Sequence, residues 1–180
     1  MKTVYIKFFA PVDTNSSNLL VSLLDQKVKE GYERVVLLIS TPGGSVFHGL
    51  SIHNYLIGIP VMVDTHNFGS VDSIGVVIFA AGNRRYSSMD ARFLIHPVSL
   101  NVNGQVEIDK LEEFVKGLKI DADNIAAAIA RATGKSEAVL LEAIRSRTTL
   151  SPEEAVAFGL VHEIREELFP KDAEVISITA

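Results

Sequence analysis

Apolar and polar positions in the first hundred residues switch between the two-residue period of strands and the helical period. Residues 3–9 alternate as a strand does, and residues 34–39 form the nearly continuous apolar run typical of a buried parallel strand. Leucines at helical spacing predict a helix between them, capped at residues 15–17 and ending near residue 29. A second helix over residues 46–57 and a third strand over residues 60–63 follow. This order predicts an α/β fold of repeated βαβ units with right-handed crossovers.

The pattern changes beyond residue 97. Asn103 and Gly104 stand between two short β-prone runs and predict a hairpin within residues 98–108. Apolar residues at helical spacing then predict a long helix over residues 109–131. The remaining elements are predicted by capping residues, proline and glycine: a helix over residues 136–145, a helix from Ser151 to Gly159, and a strand over residues 160–164.

Length and composition limit the class of protein. The 180 residues are enough for a single domain with a substantial core. A net charge of −5 without a basic cluster argues against a nucleic-acid partner. The sequence has no cysteine, and His48 and His53 lack the spacing of a zinc pair, so we expect neither a metal nor a cofactor. No apolar run approaches the roughly 20 residues of a membrane span. We therefore expect a cytoplasmic protein without a targeting segment or membrane contact.

Three features carry candidate chemistry. Ser73 lies in a segment, residues 68–75, that we interpret as the entry to a helix. Pro42, Gly43 and Gly44 follow one predicted strand, and His96 ends another. In parallel α/β sheets, ligands bind beyond the carboxyl ends of the strands, so these groups are expected to meet. A hydroxyl, a glycine pair that can present backbone N–H groups and an imidazole are the parts of an acyl-transfer site.

The segments that hold these residues resemble the Clp peptidase proteolytic subunits, the ClpP-like serine peptidases of the crotonase-like fold group. The similar segments, in the family order, are residues 39–44, residues 69–75, residues 94–97, and residues 150–155 with 159–161. The resemblance implies one ClpP-like domain over residues 1–180. It divides this domain into a head (about 3–97 and 146–165) and a protruding strand-plus-helix handle with its following helix (about 98–145).

The resemblance also implies roles for individual residues. These are Ser73 as the nucleophile, His96 as its general base, Gly44 and Ile74 as backbone donors of an oxyanion hole, and Gly43 and Pro97 as substrate contacts. It implies peptide or unfolded-protein substrates and a ring-shaped homo-oligomer. Clp subunits usually carry a leading segment that engages an AAA+ unfoldase. This sequence starts at its first strand, which argues against that partner.

The sequence departs from the family at the third member of the catalytic triad. Arg147 stands where the family has the Asp that orients the histidine. Thr148, Thr149 or Ser151 could accept a hydrogen bond from the ring as a weaker substitute. Of the nearby acids, Asp72 is expected to point away from the histidine, and the sequence does not place Asp90 relative to it. The resulting hypothesis is a Ser73–His96 dyad without a third member.

Other interpretations compete with this hypothesis. Ser73 could simply cap a helix, and the whole protein could be an inactive ring scaffold or binding subunit. A CoA-thioester enzyme of the wider crotonase-like group is the third possibility. His66 is predicted to have a surface role near the same sheet edge, with ligand contact as the alternative. We interpret His162 as structural.

Overall fold

The computed structural model describes residues 1–179, which form a mixed α/β structure. The strands are β1 (Thr3–Phe9), β2 (Arg34–Thr41), β3 (Met62–Asp72), β4 (Arg85–Ser87), β5 (Arg92–Leu94), β6 (Thr149–Leu150), β7 (Glu163–Ile164) and β8 (Val175–Thr179). The helices are α1 (Thr14–Lys29), α2 (Val46–Gly58), α3 (Ile74–Ala80), α4 (Ile108–Thr133), α5 (Glu137–Arg145) and α6 (Pro152–Phe158).

The eight strands form one sheet that is almost entirely parallel. Its main path runs β6–β5–β3–β2–β1–β8, and β4 with β7 branches from the middle of β3. Only the pairing between β5 and β6 is antiparallel. The α/β class with a mostly parallel sheet, predicted from the order of elements, is therefore confirmed.

One face of the sheet packs against the helices and forms the core. Along β1 every second side chain is fully buried, namely Val4, Ile6 and Phe8. They belong to one apolar cluster with side chains of the helices, such as Leu20 and Leu24 of α1. This alternation is what a strand with one helix-covered face requires.

The third strand is much longer than predicted. The apolar pattern predicts an end at residue 63, but β3 continues to Asp72. Its middle part, Asp64, Thr65, His66 and Asn67, is polar and yet almost fully buried. Polar residues lack the apolar pattern from which buried strands are predicted, whereas tertiary contacts keep these residues in the sheet. Residues 68–72, interpreted as a helix entry, are consequently the end of this strand.

The predicted hairpin within residues 98–108 is not formed. Gly104 has the left-handed backbone of a turn, with φ +80°, but residues 95–107 contain no strand. A two-stranded hairpin is only marginally stable alone, and no other described strand lies beside this segment. The predicted handle therefore consists of an irregular, mostly exposed segment followed by α4.

Helix α4 has two parts with different environments. Its 26 residues span about 39 Å. The later part, with Ile125, Ala126 and Ile129, is buried against the core, while Leu111 and Val115 in the early part remain exposed. Among residues 1–179, no helix is both long and apolar enough to span a membrane.

Candidate active site

Ser73 occupies the sharp turn between β3 and α3. Its backbone has φ 58° and ψ −128°, a conformation that costs free energy for a residue with a side chain. The turn is held because the amide of Ser73 donates a hydrogen bond to the carbonyl of Leu94, at 2.7 Å. The Ser73 side chain makes no capping hydrogen bond to α3. The interpretation of Ser73 as an ordinary helix cap is therefore wrong.

The glycine pair lies directly against this turn. Gly43 has φ +85°, and a Cβ atom placed there would lie 2.7 Å from the Cβ of Ser73. Gly44 has φ +147°, and its Cβ would lie 2.3 Å from the carbonyl oxygen of Val12. Both positions therefore need glycine, because backbone and side chain would otherwise collide.

Two backbone N–H groups near Ser73 have no acceptor within residues 1–179. Val12 accepts from Ser45 and donates to Gly43, each at 2.8 Å, which leaves the amide of Gly44 between them unpaired. Ile74 is the first residue of α3, where the amide has no partner inside the helix. Neither amide donates to another described group. Such free amides can stabilise a negatively charged oxygen.

Ser73, His96 and both amide-bearing residues line one cavity of about 250 Å³. The other residues that line it are Pro42, Val46, Ile95, Pro97, Val98, Ser99, Ile125 and Ile129. Most of these are apolar, so the cavity can hold an uncharged side chain. The cavity thus brings together every predicted site residue except Gly43, which packs against Ser73, and Arg147.

The register of the sheet explains how His96 reaches this cavity. Val71 and Asp72 of β3 pair with Phe93 and Leu94 of β5, so both strands end at the same edge. His96 follows β5 by two residues and is half-buried. Its Nδ1 atom lies 2.9 Å from the carbonyl oxygen of Pro97. No described hydrogen bond joins its ring to the Ser73 hydroxyl, as is common in active sites without a substrate.

Arg147 does not contact the imidazole. Its backbone is left-handed, with φ 52°, and its side chain is exposed and forms no described ion pair. The three hydroxyls predicted as substitutes do not bind the ring either. Thr148 donates to the carbonyl of Ala143 at 2.9 Å, Ser151 caps α6, and Thr149 is exposed. The only described partner of the His96 ring is therefore the Pro97 carbonyl.

The two nearby acids are also directed elsewhere. The carboxylate of Asp72 accepts hydrogen bonds from Ser70 at 2.7 Å and from Arg92 at 2.9 Å. Asp90 lies in an exposed turn before β5. The described side chains therefore supply no acid that orients His96.

His66 is neither at the surface nor near this cavity. It is 1% exposed, and it lines a separate cavity of about 250 Å³ together with Tyr5, Arg34, Asp64 and Tyr86. Burial lowers the pKa of His66 to about 4, and its Nε2 atom has no described partner. The prediction of a surface role was wrong because β3 extends further than the sequence suggested.

The remaining histidines do not form a metal site. His53 is buried and its Nδ1 atom donates to the carbonyl of Val77 at 2.7 Å, while burial lowers its pKa. His162 contacts Arg85, which also donates to the carbonyls of Leu160 and Ala132 at 2.7 Å. Within residues 1–179, no group of three or more His, Cys, Asp or Glu side chains could hold a metal ion.

Comparisons with known proteins agree with this architecture. The family model described as Clp protease matches residues 1–167. Among solved structures, the chain is similar to a ClpP1 mutant from Listeria monocytogenes, with a TM-score of 0.82 and 25% sequence identity. The match covers 92% of each chain. The ClpP-like, crotonase-like fold predicted from four sequence segments is therefore confirmed.

Proposed function

Since this chain belongs to the Clp protease family, we propose that it is a serine peptidase in which Ser73 is the nucleophile and His96 the general base. The observation that carries the proposal is the cavity shared by four groups. Ser73, which has a strained backbone and makes no side-chain capping bond, lines this cavity together with an imidazole and two unpaired amides. A helix cap or a plain strand–helix turn would need none of these features.

The proposed reaction follows from these positions. Nε2 of His96 accepts the proton of Ser73 while the serine oxygen attacks the carbonyl carbon of the peptide bond. The carbonyl oxygen becomes negatively charged and accepts hydrogen bonds from the amides of Gly44 and Ile74. The C–N bond then breaks, and His96 gives its proton to the departing amine. Water hydrolyses the remaining acyl–serine ester by the same steps and restores the hydroxyl of Ser73.

Peptides or unfolded proteins are the proposed substrates. Gly43 packs directly against Ser73, where a Cβ atom would lie 2.7 Å from the Cβ of Ser73, and its backbone is proposed to contact the substrate beside the nucleophile. Val46, Ile125 and Ile129 on the cavity wall favour an uncharged side chain next to the cleaved bond. Pro97 is proposed to contact the same substrate. A cytoplasmic location belongs to the proposal as well.

A homo-oligomeric ring is proposed for the assembly. Its support within the chain is the early part of α4, where Ile108 is 74%, Leu111 44% and Val115 49% exposed. An apolar helix face of this kind is unfavourable in water unless another surface covers it. Analytical ultracentrifugation of Leu111→Glu should show smaller particles than the wild type, and Glu113→Gln on the same helix should not. An unchanged mass for Leu111→Glu would contradict this role of α4.

Labelling with a fluorophosphonate tests the nucleophile. Wild-type protein should be labelled and Ser73→Ala should not. Ser99→Ala should behave as the wild type, because Ser99 lines the same cavity but lies in the irregular segment after β5 and not at the strained turn before α3. An unlabelled wild type, under conditions that label an active Clp peptidase, would contradict the proposal.

One observation favours an alternative, a catalytically inactive ring scaffold or binding subunit. No described carboxylate orients His96, and its ring makes no described hydrogen bond to Ser73. Cleavage of casein or of small peptides separates the two functions. Activity that disappears in Ser73→Ala would exclude the scaffold, and binding of unfolded protein without cleavage would support it.

A further inference from the structure

The Nδ1 atom of the His96 ring is hydrogen-bonded to a main-chain group. Nδ1 lies 2.9 Å from the carbonyl oxygen of Pro97, a normal hydrogen-bond length. A carbonyl oxygen can only accept, so Nδ1 must carry the hydrogen. In the neutral ring, Nε2 is then left with its lone pair, which is the form that a general base needs.

The sheet register shows why a main-chain group, and not a side chain, is the acceptor for Nδ1 of His96. In the antiparallel pairing of β5 with β6, Phe93 lies opposite Leu150 and Leu94 opposite Thr149. The pairing continues for one more step, since the amide of Ile95 donates to the carbonyl of Thr148 at 2.8 Å. Continued by one further step, this register would pair His96 with residue 147, but Arg147 lies outside β6 in a turn with a left-handed backbone.

Residue 147 lies just before the strand that pairs with β5, but its side chain cannot accept a hydrogen bond from Nδ1 of His96. A guanidinium has five donors and no acceptor, so Arg147 cannot accept a hydrogen bond from Nδ1. Its side chain is exposed to solvent instead. The carbonyl of Pro97 is the acceptor that remains.

We propose that the Pro97 carbonyl fixes the tautomer and orientation of His96, in the role that a carboxylate has in a Ser-His-Asp triad. Pro97 is thus a positioning residue that acts through its backbone, and the inference rests on the proposed peptidase function. A neutral carbonyl orients the ring as a carboxylate does, but it adds no negative charge to stabilise the imidazolium.

The chain permits a clean test of this hydrogen bond. The amide of Val98 donates to no described acceptor, so replacing it by an ester oxygen removes no other contact. The ester is made by incorporating the α-hydroxy analogue of valine at position 98. It turns the Pro97 carbonyl into an ester carbonyl, which is a weaker acceptor. The same analogue at Val102 is a matched control, because Val102 lies in the same irregular segment outside the cavity.

The primary measurement is the tautomer, read by solid-state NMR of protein labelled with ¹⁵N-histidine at a pH where the rings are neutral. His96→Asn assigns the signals. We expect hydrogen on Nδ1 of His96 in the wild type, a mixture of tautomers in the Val98 ester, and no change in the Val102 ester. Peptide cleavage by the Val98 ester should fall by about two- to tenfold, the range for one neutral hydrogen bond.

The outcomes separate this inference from the proposed function. Hydrogen on Nε2 in the wild type, or an unchanged tautomer in the Val98 ester, would overturn the inference even if the protein cleaves peptides. Hydrogen on Nδ1 in a protein that fluorophosphonate does not label would support the inference and contradict the peptidase proposal.

Discussion

The two halves of the candidate site are built in different ways. The nucleophile side consists of residues 43–44, the end of β3, Ser73 and α3, and every residue of α3 is buried. The base side consists of residues 95–107, which are irregular and largely exposed beyond Val98. The first side is fixed by packing against the core, whereas the second depends on a few hydrogen bonds. Substitutions on the nucleophile side should therefore have larger effects than similar substitutions on the base side.

The strongest test of this difference uses two glycines with left-handed backbones. Gly44→Ala should lower kcat about 10²–10³-fold, because its Cβ collides with the Val12 carbonyl and displaces an oxyanion donor. Gly104 on the base side has φ +80° but nothing within 4 Å of a Cβ atom. Gly104→Ala thus introduces backbone strain without a collision. Steady-state cleavage of a fluorogenic peptide measures both variants.

The two variants separate collision from strain. Gly104→Ala should retain most of the wild-type kcat, since the strain lies in an exposed segment. Equal losses in both variants would mean that left-handed strain alone is responsible. The proposed contribution of the Gly44 amide would then be unsupported.

A second pair of glycines tests how tightly the nucleophile side is packed. Gly49 of α2 lies against Ile74, and a Cβ there would be 2.1 Å from its Cγ1 atom. Gly49→Ala should lower the free energy of unfolding by about 3 kcal/mol, at the upper end of overpacking costs. Urea denaturation measures this loss. Gly58→Ala, at the end of the same helix with open space around it, should change stability by less than about 1 kcal/mol.

A pH-dependent loss of stability is expected from β3, the strand that leads to the proposed nucleophile. The pKa of His66 in β3 is lowered by burial to about 4, below the value near 6.5 of an unfolded chain. The unfolded state therefore binds a proton that the folded state does not, and stability falls as the pH drops from about 6.5 towards 4. The loss from this residue should be about 2 kcal/mol at pH 5.

Substitution by phenylalanine tests this assignment. His66→Phe retains an aromatic ring beside Tyr86, whose centroid lies 5.8 Å away, and removes the titrating group. Urea denaturation at pH 7 and pH 5 should show a smaller difference in this variant than in the wild type. Part of the difference should remain, because burial also lowers the pKa of His53 and His162. His48→Phe, on a partly exposed ring, is the control, and an equal reduction there would contradict the assignment.

The elements of the fold also differ in how well the sequence predicts them. Continuous apolar runs and capping residues predicted β1, β2, α2 and α4 within a few residues of their bounds. Local patterns failed where distant contacts decide the structure. The buried polar residues of β3 do not follow the apolar pattern of a buried strand, and the five residues of β8 depend on pairing with β1. The hairpin signal correctly predicted a turn at Gly104, but the hairpin does not form because no other described strand lies beside this segment.

The same limit applies to the site. Ser73, Gly44 and His96 could be named because their residue types carry the chemistry. The Pro97 carbonyl could not, since every residue has a carbonyl and only the folded backbone shows which one accepts a hydrogen bond. The departure at Arg147 was visible, but the group that replaces the missing carboxylate was not.

The smallest effect is expected from introducing a negative charge on the base side, where no described carboxylate orients His96. Arg147→Asp should raise kcat about tenfold, the difference between a charged and a neutral hydrogen bond to the ring. The left-handed backbone of residue 147 tolerates Asp and Asn well. Arg147→Asn is therefore the matched control, because it offers an acceptor of the same size without a negative charge. A gain with Asp alone would mean that imidazolium stabilisation limits the rate. A similar gain with Asn would mean that kcat rises because the positive charge of Arg147 is removed. No gain with either variant would mean that orientation of the His96 ring by the Pro97 carbonyl is already sufficient for the reaction.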